Sequence, residues 1–518
     1  MSTPRTIANL IAVGIAGAAI ASDDGGLAAL LARLGASSPT GAGVGVVQVE
    51  APKTAGGNDF APDLTLADFA GKTVQIMNSP SAAGWHGTNI AQRLYGNSLS
   101  MAPGVTNAWV YNLNSWITGT LGTGNGSAAP GATPSTSVRV MSHAWIGSFG
   151  TGQEAYDREA IRRMDLQMTR DGILAVCGEN NGAGSARAPM MGDCFNGLSV
   201  GRNDLQHSVG DTGAQSDTPG RMKPELTAAG QFTSFATATI GSAAALIFET
   251  LRGADFSALS NAQRAQLTKA ALLGGADRVA AWANNAPASG ATRGVATKPL
   301  DPTRGSGELN VDRAHRIVTA PRVNGTSTSA TAEAVEQVGW GTAGLSGGAK
   351  AYWRFRVWQV APSLDITVTW PRAVATNLAS YTLANMDLRL QRSFGGGSRF
   401  VALEGDAGLA AFEAGNVSSS STVDNVETIH LKNLQPGEYT LELARKDAGT
   451  GIVTAYATWS IDATAFGLMG DLDMSGSVDF GDVALAMLSF GSDDGLADID
   501  ASGNVDFGDV ALILLNFG

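Results

Sequence analysis

Three short stretches of the chain carry side chains that could act together on a carbonyl group. Gly43-Val-Gly-Val-Val-Gln-Val-Glu50 ends an apolar run on a carboxylate, Trp85-His86-Gly87-Thr88-Asn-Ile-Ala91 offers an imidazole, and Phe232-Thr233-Ser234-Phe235-Ala236-Thr237 offers an alcohol. An alcohol ionises far above neutrality and becomes a useful nucleophile only when a base takes its proton. His86 is the histidine whose motif suits that role for Ser234, with an acid needed to hold the imidazole tautomer and stabilise the imidazolium. Glu50 is the first candidate for that acid; Asp59 and Asp63, in the loop that follows, are the alternatives. Gly87 and Gly182 would let backbone and substrate approach closely. Taken singly, a histidine before Gly-Thr or a Thr-Ser pair before an Ala-rich helix also fits an ordinary helix cap.

The elements around these stretches alternate. Val44 to Val49 is apolar except for Gln48, as a strand buried on both faces would be, and Val138 to Met141 and Ile173 to Cys177 read alike. Between the last two, Tyr156 to Arg170 places Ile161, Met164 and Met168 on one helical stripe. Strand, helix, strand implies an α/β fold with a mostly parallel sheet and helices on both faces, and ligands at the carboxyl ends of the strands. After about residue 320 the pattern becomes two-residue alternation, as in Trp353–Val360, Leu364–Trp370, Tyr439–Leu443 and Tyr456–Ile461, which predicts an antiparallel β-sandwich.

Composition narrows the function. The 518 residues carry a formal charge of −12 and no cluster of Lys and Arg, which excludes a sequence-independent nucleic-acid binder. Two cysteines, Cys177 and Cys194, are too few for a four-cysteine zinc site, and could be either a disulfide or two buried thiols. Near the start, one basic residue precedes a largely apolar run from Ile7 to Ala21, the form of a signal peptide rather than a membrane span. An ordinary amphipathic helix is the other reading of that run. The expected units are a leader over 1–21, a catalytic domain over 22–320, the sandwich over 321–465 and a C-terminal unit over 466–518.

The order acid, histidine, serine, with gaps of 36 and 148 positions, resembles the subtilase family of serine peptidases. Met101-Ala-Pro-Gly104, Lys223-Pro-Glu-Leu-Thr-Ala-Ala-Gly230 and Cys177-Gly-Glu-Asn180-Asn-Gly182 extend the resemblance over about residues 41 to 320. It implies a subtilisin-like fold, an acyl-enzyme at Ser234, a protein or peptide substrate, and an oxyanion-hole asparagine at Asn180. The sequence departs from the family pattern at Glu50, where an aspartate is usual, and at Asn89, Phe232, Ala238 and Thr239.

The C-terminus is a repeat. Asp471, Asp473, Ser475, Ser477, Asp479 and Asp482 recur 27 residues later as Asp498, Asp500, Ser502, Asn504, Asp506 and Asp509, with a glycine at loop position 6 in each copy. Oxygen donors at positions 1, 3, 5, 9 and 12, with the position-7 carbonyl, suit calcium, one Ca2+ per loop. Each loop runs into an apolar helical segment with no entering helix, which resembles a dockerin, a small α domain. That resemblance implies a cohesin-type partner on a scaffold or cell surface. The expectation is therefore a secreted, tethered endopeptidase without a transmembrane anchor; a catalytically inactive subtilase-fold module is the alternative.

Overall fold

The computed structural model describes residues 24–518 apart from 54–55, 127, 395, 463–468, 474, 476, 493, 495 and 501, so the expected leader lies outside the described residues. Seven strands make one parallel sheet: β1 (Gly45–Glu50), β2 (Thr73–Ile76), β3 (Asn107–Asn112), β4 (Val138–His143), β5 (Leu174–Gly178), β6 (Leu198–Arg202) and β7 (Leu226–Ala228). Their spatial order is β2-β3-β1-β4-β5-β6-β7. The chain leaves β1 for the edge, returns through β3 and then crosses β1 to reach β4. Such a reversal opens a crevice at the carboxyl ends of the central strands, and Glu50 is the last residue of β1.

Burial of β1 along its whole length follows from having a partner on each side and helices on both faces. Its side chains divide accordingly. Val46 packs with α1 (Trp85–Tyr95) and α3 (Thr233–Thr250), whereas Val47 and Val49 face α2 (Glu154–Asp171). α2 buries the expected stripe of Ile161, Met164 and Met168 and stops at Gly172, whose φ of 67° is left-handed. α3 is buried almost on all sides, as its run of small and apolar residues allows, and packs against α1, β4 and β5. This fixes the first turn of α3 beside the carboxyl ends of the sheet.

The alternating zone forms two antiparallel sheets around one core. One has the order β8 (Val338–Leu345), β14 (Val453–Ile461), β10 (Ala361–Thr369), β12 (Val426–Leu434); the other runs β11 (Met386–Phe394), β13 (Gly437–Arg445), β9 (Lys350–Val357). β9 shows the pattern plainly, sending Ala351, Trp353, Phe355 and Val357 inward.

The strand pairing crosses the border expected near 320, because Val295–Ala296 pairs with Ser418–Ser419 at the edge of the second sheet. Buried polar bonds reinforce the junction. Arg372 forms ion pairs with Asp165 at 2.5 Å and Asp217 at 2.6 Å, and Asn425 donates to the carbonyls of Phe195 and Trp370, each at 2.8 Å. After α3, α4 (Asn261–Gly274) packs against α5 (Val311–Thr319); farther on, α6 (Phe480–Leu488) and α7 (Phe507–Leu515) pack around Ala486, Val505 and Ile513, with Trp358 of the sandwich against them. Cys177 and Cys194 are two buried thiols rather than a disulfide. No helix among the described residues is long and apolar enough to cross a membrane.

Candidate active site

Glu50 is completely buried, and its Oε2 lies 2.7 Å from Nδ1 of the half-buried His86. The contact depends on how α1 begins. Gly84 N donates to Ala61 O, drawing the loop over the first turn of the helix. A Cβ on Gly87 would stand 2.3 Å from Phe60 O, so only glycine lets this loop pass so closely. Neither alternative acid takes the place of Glu50: Asp59 Oδ1 accepts from the Lys53 amide, and Asp63 Oδ1 from the Thr65 amide and hydroxyl. Burial opposes protonation of His86, but the hydrogen bond and charge of Glu50 outweigh it and raise the imidazole pKa above its ordinary value.

Ser234 is 7 % exposed in the first turn of α3, where helix geometry leaves backbone N–H groups without partners inside the helix. It shares a recess of about 120 Å³ with His86, Asn180, Glu179 and Trp145. A larger chamber of about 570 Å³ opens on the other side of His86, against Ala51, Lys53, Asp59 and Trp85. Ala144, Trp145 and Ile146, which follow β4, line both spaces. Among the described residues no hydrogen bond joins His86 to the Ser234 hydroxyl.

Asn180 reaches the same recess, with its side-chain amide donating to Ala186 O at 3.1 Å. An amide has two N–H donors, and that contact occupies one of them. The neighbouring Asn181 is structural, because its Oδ1 accepts from Thr233 N at 2.9 Å and so caps the helix that carries Ser234.

Phe232, unusual before Thr-Ser, packs edge-on against Trp85 and Phe235 at centroid separations of 6.4 and 5.3 Å. This aromatic cluster joins the start of α1 to the start of α3, the two turns that carry His86 and Ser234. Two further buried residues support the site with no motif to announce them: Gln48 bonds to Glu50 from behind, and Tyr95 bonds to Gln48. A single polar residue in an apolar strand run was the available signal.

In the repeated C-terminus, carboxylate oxygens of Asp471, Asp473 and Asp482 lie within 4.8 Å of one another, as do those of Asp498, Asp500 and Asp509. The acids at loop position 9 are used differently. Asp479 and Asp506 cap α6 and α7, accepting from Gly481 N and Gly508 N. Ser475 and Ser502 hydroxyls donate to the carbonyls of Ser477 and Asn504. Three gathered carboxylates, one of them buried at each end of the loop, form a hard oxygen site that fits a calcium ion.

No protein-family model and no curated protein matches the chain. Solved structures similar to parts of it include the prenylagaramide maturation protease PagA (16 % identity, 56 % of this chain and 97 % of that one, TM-score 0.36). A cold-adapted subtilisin-like serine proteinase matches at 17 % identity over 44 % of this chain and 81 % of its own, with a TM-score of 0.28. Fervidolysin from Fervidobacterium pennivorans, a keratinolytic enzyme related to subtilisin, matches at 13 % identity over 82 % of this chain and 74 % of its own, TM-score 0.34. At such identities and TM-scores these likenesses assign neither a family nor an activity, and the functional reading stands on the side-chain geometry.

Proposed function

We propose that this protein is a subtilisin-like serine endopeptidase. Its carrying observation is the 2.7 Å contact between buried Glu50 and His86, with His86 and Ser234 lining one recess at the switch point of a parallel sheet. In this reading His86 Nε2 takes the Ser234 proton as Oγ attacks a peptide carbonyl, while Glu50 holds Nδ1–H and stabilises the imidazolium. The tetrahedral oxyanion is met by Ser234 N–H and by the Asn180 amide, the side-chain donor being worth about 3 to 4 kcal/mol. His86 then gives its proton to the leaving amine, and water repeats the sequence in reverse on the acyl-enzyme. An extended peptide suits the two spaces on either side of His86, with the Ala144–Ile146 segment running between them.

The C-terminal unit is read as a dockerin-like tether. Calcium would supply the positive charge that holds Asp471, Asp473 and Asp482, and Asp498, Asp500 and Asp509, in their loops. Phe480 and Leu488 on α6 recur as Phe507 and Leu515 on α7, each more than 70 % exposed, a duplicated apolar surface for a cohesin-type partner. Secretion follows in this reading from the leader-like sequence and the tether.

A fluorophosphonate probe should label Ser234 in the intact protein and not in Ser234→Ala; absence of labelling in folded, calcium-loaded protein sinks the peptidase reading. A catalytically inactive binding module is favoured by one observation, the lack of a His86–Ser234 hydrogen bond. Labelling distinguishes the two, since hydrogen bonds at such sites often tighten only when substrate binds.

A further inference from the structure

Gln48 and Tyr95 have no role in a three-residue account of the site, yet both are fully buried and bonded to it. Tyr95 OH donates to Gln48 Oε1 at 2.9 Å, which fixes the orientation of the amide. Gln48 Nε2 then donates to Glu50 Oε1 at 3.1 Å and to Gly87 O at 2.8 Å. Both amide donors are thus committed, one to the acid and one to the residue beside His86. Burial, with a smaller effect from the charge of Glu50, pushes the Tyr95 phenol well above its usual range and keeps it a donor.

A buried amide is unfavourable unless its hydrogen bonds are made, and an apolar side chain of similar length would fill the same space without that demand. Glutamate also has one more rotatable bond than aspartate, hence more freedom to lose when its carboxylate is fixed. Holding Oε1 removes that freedom and leaves Oε2 facing His86.

We propose that Gln48, oriented by Tyr95, is a positioning residue that clamps the Glu50 carboxylate to the first turn of α1 and so sets the Glu50–His86 contact. This inference rests on the reading of Ser234, His86 and Glu50 as the reacting set. Gln48 touches no substrate; it acts through Glu50.

The test is the paired variant Gln48→Met/Tyr95→Phe, which removes both partners and leaves no orphaned phenol. Loosening a reacting group by about 1 Å can cost on the order of 100-fold, so Ser234 labelling by a fluorophosphonate should slow about 10- to 100-fold, and kcat on a peptide should fall with KM unchanged. The same pair made on top of Glu50→Ala should slow labelling no more than about twofold, because the group it positions is gone.

Labelling of the folded pair variant within twofold of wild type overturns the clamp, as does an equal loss in both backgrounds. The His86 Nδ1–H proton resonance, followed in Ser234→Ala, supplies a readout without turnover: it should broaden or vanish with the paired change, and an unaltered resonance overturns the clamp. If the pair does not fold, Tyr95→Phe alone carries the comparison, with an expected slowing of about three- to tenfold for one lost hydroxyl bond. Failure of the reacting set looks different, since folded wild-type protein would then take up no probe at all.

Discussion

Replacing Glu50 by glutamine changes few atoms and should nearly abolish reaction at Ser234, for a reason set by Gln48. Gln48 Nε2 points a donor at the Oε1 position of residue 50, 3.1 Å away. In Glu50→Gln only the amide oxygen can accept there, so the new NH2 group occupies the Oε2 position, 2.7 Å from His86 Nδ1. Nδ1 must then accept, which puts the imidazole proton on Nε2, and that nitrogen can no longer take a proton from Ser234. A wrong-tautomer replacement of this kind costs about 10⁴-fold in a serine peptidase. At 1.36 kcal/mol per decade this is about 5 kcal/mol of barrier.

Glu50→Asp keeps the charge and withdraws the carboxylate by one methylene, a misplacement of about 1.5 Å, so its loss should be nearer 100-fold. The assay is the second-order rate of fluorophosphonate labelling of the three proteins at one pH, with folding checked by urea unfolding. The expected order is wild type, Glu50→Asp, Glu50→Gln. Labelling of Glu50→Gln within tenfold of wild type, or faster than Glu50→Asp, refutes both the tautomer reasoning and the role of Glu50.

Three other outcomes are expected. Since the pKa of His86 is raised and the base must be neutral, the labelling rate should climb through a midpoint above the ordinary histidine value of 6.5, whereas the small stabilisation from its pairing with Glu50 is complete below that value and fades as pH passes the raised midpoint; a labelling midpoint at or below 6.5 contradicts this. Chelating calcium should expose the apolar core around α6 and α7, seen as increased proteolysis after residue 466, while Ser234 labelling stays within twofold; retention of protease resistance without the ion counts against the loops as calcium sites. Arg372→Met should lower unfolding free energy by about 3 to 5 kcal/mol, measured in urea, because Asp165 then remains buried without its cation while Asp217 keeps only Arg162; a loss under 1 kcal/mol would show that the junction contributes little.

Much of the parallel sheet was legible because fully buried strands must be apolar throughout: the runs at 44–49, 138–141 and 173–177 became β1, β4 and β5 with shifts of one or two residues. The sandwich was readable for the opposite reason, its strict alternation. Glu50 and His86 could be paired through the subtilase-like order and spacing of their motifs, with Asp59 and Asp63 as alternatives, and it is Glu50 that lies 2.7 Å from His86. Gln48 and Asn181 could not be read as parts of the site, since a lone amide in a strand or loop signals nothing until the partners that satisfy it are placed by the fold. Nor did the sequence betray the use of Asp479 and Asp506 as helix caps, because a cap and a metal ligand call for the same side chain. The strand at 295–296 was missed for want of length: two residues carry no periodicity.

The ion pairs of Arg372 have a temporal side. Asp165 and Asp217 precede Arg372 by 207 and 155 residues, so as the chain emerges from the ribosome the segments that carry Glu50, His86 and Ser234 are made well before the guanidinium that pairs with Asp165 and shares Asp217 with Arg162. Until Arg372, just after β10, has been synthesised, the buried Asp165 lacks its ion-pair partner. The junction is thus completed only once most of the polypeptide exists.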